Sequence, residues 1–328
     1  MTILVTGAAG FIGYHLCEAL LAMGERVVGV DSLNDYYDVG LKKARRDRLL
    51  RHNAYSFEHA DIADRAAMEA MASKHPEITR IVHLAAQAGV RYSLENPYAY
   101  VQANLVGQIV MLEFCRRLKK LEQLIYASSS SVYGGNTKIP FSTDDRTDTP
   151  ISLYAATKKA DEHMSHCYSH LYRIPATGLR FFTVYGPWGR PDMAAYIFTR
   201  AIVEGRPIQL FNNGDMKRDF TYIGDIVQGI LGCLDKPPVD DGKSAPHRIY
   251  NLGNHRSEPL RRFVEILERE IGKSATIEYA PMQPGDVKET YADIAAATRD
   301  VGFKPTTPID VGLPRFVAWY REYHGVGK

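Results

Sequence analysis

The segment Thr6-Gly7-Ala8-Ala9-Gly10-Phe11-Ile12-Gly13 constrains this chain more than any other. The apolar run Thr2-Ile3-Leu4-Val5-Thr6 leads into it and predicts a strand. A helical pattern from Tyr14 to Met23 follows, Gly24 ends it, and Arg26-Val27-Val28-Gly29-Val30-Asp31 reads as the next strand. Strand, glycine turn, helix and strand predict a right-handed βαβ unit, hence an α/β chain on a Rossmann-type, doubly wound parallel sheet. The glycines let the backbone turn sharply and let an anion approach the N–H groups at the helix start. In that context Gly7, Gly10 and Gly13, with Phe11 and Ile12 between them, point to a bound dinucleotide. Asp31, closing the second strand, is placed to accept bonds from the adenosine ribose. Its charge would repel a 2′-phosphate and no Arg follows it directly, which favours NAD over NADP.

Further strands are expected at Tyr55–Ala60, Arg80–Ala86 and Gln123–Ala127. Asp61 and Ile62 follow the first of these and could lie along the adenine. Strand C-termini are where ligands bind in open α/β sheets, so the small residues Leu84, Ala85 and Ala86 and the cluster Ser128-Ser129-Ser130-Ser131 are candidate site residues. The serines read either as turn chemistry or as hydroxyls aimed at a reacting oxygen.

Tyr154-Ala155-Ala156-Thr157-Lys158 follows that cluster. On a helix, Tyr154 and Lys158 stand one turn apart on the same face. A free phenol, with a pKa of about 10, is only about 0.1% ionised at pH 7. A fixed ammonium favours the phenolate, and a shift of about three units takes roughly 4 kcal/mol of differential interaction. The product is a general base able to take a proton from a sugar hydroxyl.

Taken together, Thr6–Gly13, His83-Leu84-Ala85-Ala86, Ser128–Gly134 and the Tyr154/Lys158 pair resemble the extended short-chain dehydrogenase/reductase family, which includes nucleotide-sugar epimerases and dehydratases. The likeness spans nearly the whole chain. It implies Tyr154 as base, Lys158 as the lysine that holds the cofactor ribose, and Ser129 as the catalytic hydroxyl. It also implies Asn34, Asn104 and Phe182 beside NAD. For a UDP-sugar it implies Gln87, Arg91, Ser129, Ser130, Thr183, Arg190, Arg218 and Asp286. Family dehydratases carry an Asp-Glu pair at the serine cluster and related decarboxylases a Glu; here the cluster is all serine. That narrows the expected reaction to 4-epimerisation, with UDP-glucuronate to UDP-galacturonate first and UDP-glucose/UDP-galactose next; UDP-glucuronate decarboxylation is less favoured. A 4-keto uronate readily loses CO₂, so hydroxyl donors, with Thr183 and Arg190, are expected to clamp the carboxylate. The family's dimers imply a homodimer through a four-helix bundle of Tyr98–Leu118 and Tyr154–Tyr172.

Beyond a soft boundary near Ile174 to Arg180 the composition shifts toward loops and short helices. Residues 1–177 are expected to hold the cofactor and 178–328 mainly the UDP-sugar, with segments returning to the first unit. Arg218 offers a planar fork suited to a phosphate, and Met282–Val287 resembles the family's second diphosphate-sugar loop, with Asp286 toward a ribose. Asp225 reads as a helix N-cap, and Gly312–Tyr323 as an amphipathic packing helix. His163, His166, Cys167 and His170 have metal-like spacing, but lie opposite Tyr154 and Lys158 with no carboxylate cluster, so a packing or subunit face is expected and no metal. The net charge of +2 argues against nucleic acid. The uncharged stretch Pro97 to Leu112 is interrupted by Gln102, Asn104 and Gln108, so no membrane span is expected. Four scattered cysteines and a start too short for a signal peptide suit a reducing, cytoplasmic setting.

Overall fold

Seven parallel strands form one sheet in this chain, described for residues 1–283 and 285–327 in a computed structural model. The nucleotide half runs β1 (Thr2–Thr6), α1 (Phe11–Ala22), β2 (Arg26–Asp31), α2 (Val39–Leu49), β3 (Tyr55–His59), α3 (Arg65–Lys74) and β4 (Arg80–His83). Then come α4 (Tyr92–Glu95), α5 (Pro97–Tyr100), a π-helical turn (Val101–Val106), α6 (Gly107–Arg117), β5 (Gln123–Ser129), a 3-10 turn (Ser130–Tyr133) and α7 (Leu153–Tyr172). The remainder is β6 (Ala176–Phe181), β7 (Thr183–Tyr185), α8 (Ala194–Glu204), β8 (Ile208–Phe211), β9 (Lys217–Arg218), β10 (Phe220–Tyr222), α9 (Ile223–Asp235) and β11 (His247–Leu252). It ends with β12 (Glu258–Pro259), α10 (Leu260–Ile271), β13 (Ile277–Ala280), α11 (Ala295–Val301) and α12 (Ile309–His324).

The sheet order is β11-β6-β5-β4-β1-β2-β3. The chain steps outward from β1 in both directions, so the strand order reverses at β1 and β4, the crevice where such sheets bind ligands. The inner strands β1, β2 and β6 are buried on both faces along most of their length, while the edge strand β3 is partly exposed. One core packs α1 and α9 against the sheet and the other packs α3 and α6. The 177/178 division runs through β6, and β11 and α9 belong with the sheet although they come late in the chain. A third core, around Phe220, Phe263, Phe316 and Trp319, unites α8, α10 and α12. Short pairs β7–β10, β9–β12 and β8–β13 complete that half.

Helix α1 begins three residues earlier than its apolar pattern suggests. Gly7 adopts φ 69°, and Gly10 then caps the helix in extended conformation. A Cβ on Gly13 would sit 2.1 Å from Gly7 O, so the helix can lie against the turn only with glycine there. The expected Tyr98–Leu118 helix is instead α5, the π turn and α6. Asp225 is not a cap: α9 starts at Ile223, and the Asp225 carboxylate accepts from the backbone N–H groups of Thr306 and Thr307. No helix among the described residues is long and apolar enough to cross a membrane, and none of their His, Cys, Asp and Glu side chains form a metal-holding group of three.

Candidate active site

One cavity runs over the C-terminal ends of β1, β2, β4 and β5 and is closed on its far side by residues 181–193, 218 and 285–290. Its floor is the glycine turn. Gly10 offers no capping side chain, and the first turn of α1 carries no acid, so its N–H groups and its positive end suit an anion. A Cβ on Gly7 would meet Ala85 N at 2.9 Å, which fixes how closely the turn approaches the Leu84–Ala86 strand end. Thr6 joins the same two strand ends: its Oγ1 accepts from Ala85 N and bonds His83 Nδ1 at 2.7 Å. Burial, with the nearby Lys158 charge, lowers the His83 pKa to about 3, so this ring is neutral.

Asp31 accepts from Ala9 N at 3.0 Å and Leu33 N at 2.8 Å, which aims its carboxylate into the cavity between the glycine turn and the next loop. Asn34, Asp61 and Ile62 line the same end. Two residues there escaped the sequence reading. Lys42, on α2, reaches in beside Asp31 and donates to Asn34 O and Oδ1, both at 2.7 Å. Arg45, fully buried, donates to Ala9 O in the glycine turn and to Trp188 O and Gly189 O in the loop before Arg190. It thereby ties the dinucleotide turn to the opposite wall. No local pattern marks either residue; each is one of several cations on a helix whose buried face only the packing reveals.

At the other end, Ser152 caps α7 by accepting from Ala155 N, and this helix presents Tyr154 and Lys158 to the cavity. Tyr154 packs edge-on to Tyr100, with ring centroids 5.9 Å apart. Lys158 is anchored from behind by Ala127 O. The strand period separates the serines. Ser128 Oγ donates at 2.7 Å to Glu162, which also holds the buried Arg180. Burial pushes the Glu162 carboxyl up, but Arg180, Ser128 and Lys159 outweigh it and hold it low. Ser129 Oγ instead accepts from Ser131 N and Ser131 Oγ, at 3.1 and 3.0 Å, which leaves its own hydrogen to donate into the cavity. Ser130, Phe182, Thr183 and Gln87 line this end, and the Gln87 amide nitrogen is buried without a partner among the described residues.

Three expected ligand residues stand differently. Asn104 does not line the cavity: it is buried in the π turn, where it accepts from Gln87 N and donates to Gln87 O and Thr157 Oγ1. It braces the site from behind. Arg91 is exposed and stacks over Phe211, 4.7 Å from its ring centre, outside the cavity lining. Arg190 does line the cavity, but Asp192 compensates it by a bidentate pair on its Nε/Nη2 edge, and Tyr36 donates to the same carboxylate at 3.1 Å. Burial acts to raise the Asp192 carboxyl, yet Arg190 holds it low. Arg218 and Asp286 meet at 2.6 Å on the far wall. Pro284 of the Met282–Val287 loop lies outside the described residues.

A parallel sheet with a glycine turn at its switch point, and a Tyr/Lys pair beside a hydroxyl donor, define a dinucleotide-type site that joins an anion cradle to a candidate acid–base pair. The chain belongs to the NAD dependent epimerase/dehydratase family, whose model matches residues 3–253. Among its relatives, UDP-glucuronate 4-epimerase 3 of Arabidopsis thaliana is 48% identical, over 100% of this chain and 78% of that one. A probable UDP-glucuronate 4-epimerase of Rhizobium meliloti (strain 1021) is 47% identical, over 98% of this chain and 97% of that one. The solved UDP-glucuronic acid 4-epimerase of Bacillus cereus, in complex with UDP-glucuronic acid and NAD, superposes with a TM-score of 0.90 at 35% identity, over 98% of this chain and 100% of that chain.

Proposed function

We propose that this chain is an NAD-dependent 4-epimerase that interconverts UDP-glucuronate and UDP-galacturonate through a 4-keto intermediate. One observation carries the reading: the α1 turn, the Tyr154/Lys158 pair and the unspent hydrogen of Ser129 open onto the same cavity. The cradle fits NAD, because Gly7 and Gly13 let the turn pack against the start of α1, whose N–H groups carry no side-chain cap, and Asp31 stands at the ribose end. NAD bound there supplies the acceptor, and then the donor, of a hydride at C4.

The protein's part is proton transfer and placement. Tyr154 takes the C4 hydroxyl proton and later gives it back. Ser129 donates to the C4 oxygen as it becomes a ketone, a contact that strengthens as charge develops. Lys158 supplies the positive field that makes the phenol a usable base. Thr183 and the serine hydroxyls face the sugar carboxylate, and their donors would hold it out of line with the keto group. Arg190, already paired with Asp192, steadies the wall instead. Arg218 and Asp286 stand where a diphosphate and its ribose would part them. The relatives named above supply the choice of uronate over glucose.

Purified protein incubated with UDP-glucuronate and no added NAD should yield UDP-galacturonate, identified by NMR, without UDP-pentose. UDP-glucose should turn over at least about 100-fold more slowly, a loss within reach of one missing charge-assisted contact. A strict requirement for added NAD with NADH accumulating, or preference for UDP-glucose, overturns the reading.

The same reading includes a second copy of the chain. Tyr98, Val101, Val106 and Ile109 are exposed along α5, the π turn and α6, and Leu171 and Tyr172 at the end of α7. These apolar side chains suit a four-helix contact between copies. Sedimentation should return twice the 36.8 kDa chain mass; a single-chain mass at micromolar concentration removes the dimer.

A further inference from the structure

An ammonium has three N–H donors, and in Lys158 two are committed inside the protein. Nζ donates to Ala127 O at 3.0 Å and to Asp161 Oδ2 at 2.9 Å. Both side chains of the pair are buried, and Asp161 Oδ1 has no hydrogen-bond partner among the described residues. The third donor is the one left for the cavity. Asp161 lies outside the cavity lining, and the proton transfers above do not use it.

We propose that Asp161 is a positioning residue for Lys158, one that fixes the direction of the ammonium and partly cancels its field at Tyr154. The proposal rests on the 4-epimerase reading. A phenol that serves as base in one half of a reaction must serve as acid in the other. An uncompensated ammonium would favour the phenolate and so slow the return of the proton. A carboxylate on the same ammonium tempers that bias from outside the reacting shell. It does so at a cost, since burial pushes the Asp161 carboxyl up to about 6 against the pull of Lys158. The other charged or titratable groups facing the pair are Glu162 on α7, which Arg180 holds ionised, Tyr126 from β5, and the neutral His83 from β4.

The test is the pH dependence of kcat with UDP-glucuronate at saturation, for wild type and Asp161→Asn. The amide keeps the shape and an acceptor for Lys158 but removes the charge. The acid limb should move down by about one half to one pH unit while the plateau falls two- to fivefold, because the freed field makes Tyr154 a weaker base. Asp161→Ser, which removes the same charge with a smaller group, should move the limb the same way and lower the plateau further, with the Asn variant recovering part of it. An acid limb that stays in place in both variants, whatever happens to the plateau, overturns the proposal, since a merely structural role changes only the amount of active protein. Wild-type turnover in the same series tests the 4-epimerase reading separately.

Discussion

Four consecutive serines offer the chemistry four identical hydroxyls, and what separates them is where each hydrogen is already spent. Ser128 gives its hydrogen to the buried Glu162 carboxylate. Ser129 receives two hydrogen bonds at its oxygen and keeps its hydrogen for the cavity. A carboxylate that loses a buried donor is left partly desolvated, a cost of about 1–3 kcal/mol. Ser128→Ala should therefore appear in urea unfolding as a loss of that size. Ser129→Ala should appear in turnover, with kcat lowered about 10- to 100-fold and much smaller change in stability. Tyr154→Phe, which removes the proton carrier itself, should lower kcat by about a thousandfold. If the Ser128 variant loses more kcat than the Ser129 variant, the hydroxyls have been assigned the wrong way round.

At the scale of elements, the sequence was most readable where a local rule sufficed. The bounds of β1 and β2 follow from apolar runs beside glycines, and the Gly7/Gly10/Gly13 spacing marks the cavity floor without help from any tertiary contact. Tyr154 and Lys158 needed only helical periodicity to share a face. What stayed illegible depends on contacts between distant segments. The family resemblance implies Asn104 beside the cofactor, yet its amide is used up bracing Gln87 to Thr157, 53 residues away in sequence from the asparagine. Asp225 carries the residue type of a cap, but its helix starts two residues earlier and the carboxylate serves Thr306 and Thr307. Lys42 and Arg45 stand in a helix rich in cations, and only the fold shows which of them turn inward. No Arg follows Asp31 directly, but Lys42 reaches in beside it from the next element, a proximity that the sequence order does not display. Arg190 is expected to clamp a carboxylate of the substrate, and a sequence does not show Asp192 folding back onto it as an internal partner.

The molecule as a whole buries titratable groups of two opposing kinds, and their numbers decide how its stability responds to acid. Burial lowers His15 and His247 to about 4 and His83 to about 3. Each is depressed below the unfolded value of about 6.5, so each contributes stability above that pH and loses it as pH falls, because the unfolded chain takes up the proton first. Burial raises Asp161 and Asp219 to about 6, even though Asp219 accepts from Asn254 N, Ala292 N and Thr221 Oγ1. These act with the opposite sign: the folded state binds their protons more tightly, so their contribution is present at acid pH and is lost as pH rises through 6. Between about pH 5.5 and 4.5 the three histidines, with carboxylates such as Glu162 and Asp192 that Arg partners hold low, outweigh the two aspartates, so unfolding takes up protons. The free energy of urea unfolding should then fall as the pH is lowered through that window. His247→Gln, which keeps a polar partner for Tyr126 Oη, removes one of the three and should make that fall shallower. Stability that climbs as the wild-type protein is taken from pH 5.5 to 4.5 would mean the buried aspartates outweigh the histidines. The balance of charges inside the sheet would then be the reverse of the one derived from these contacts.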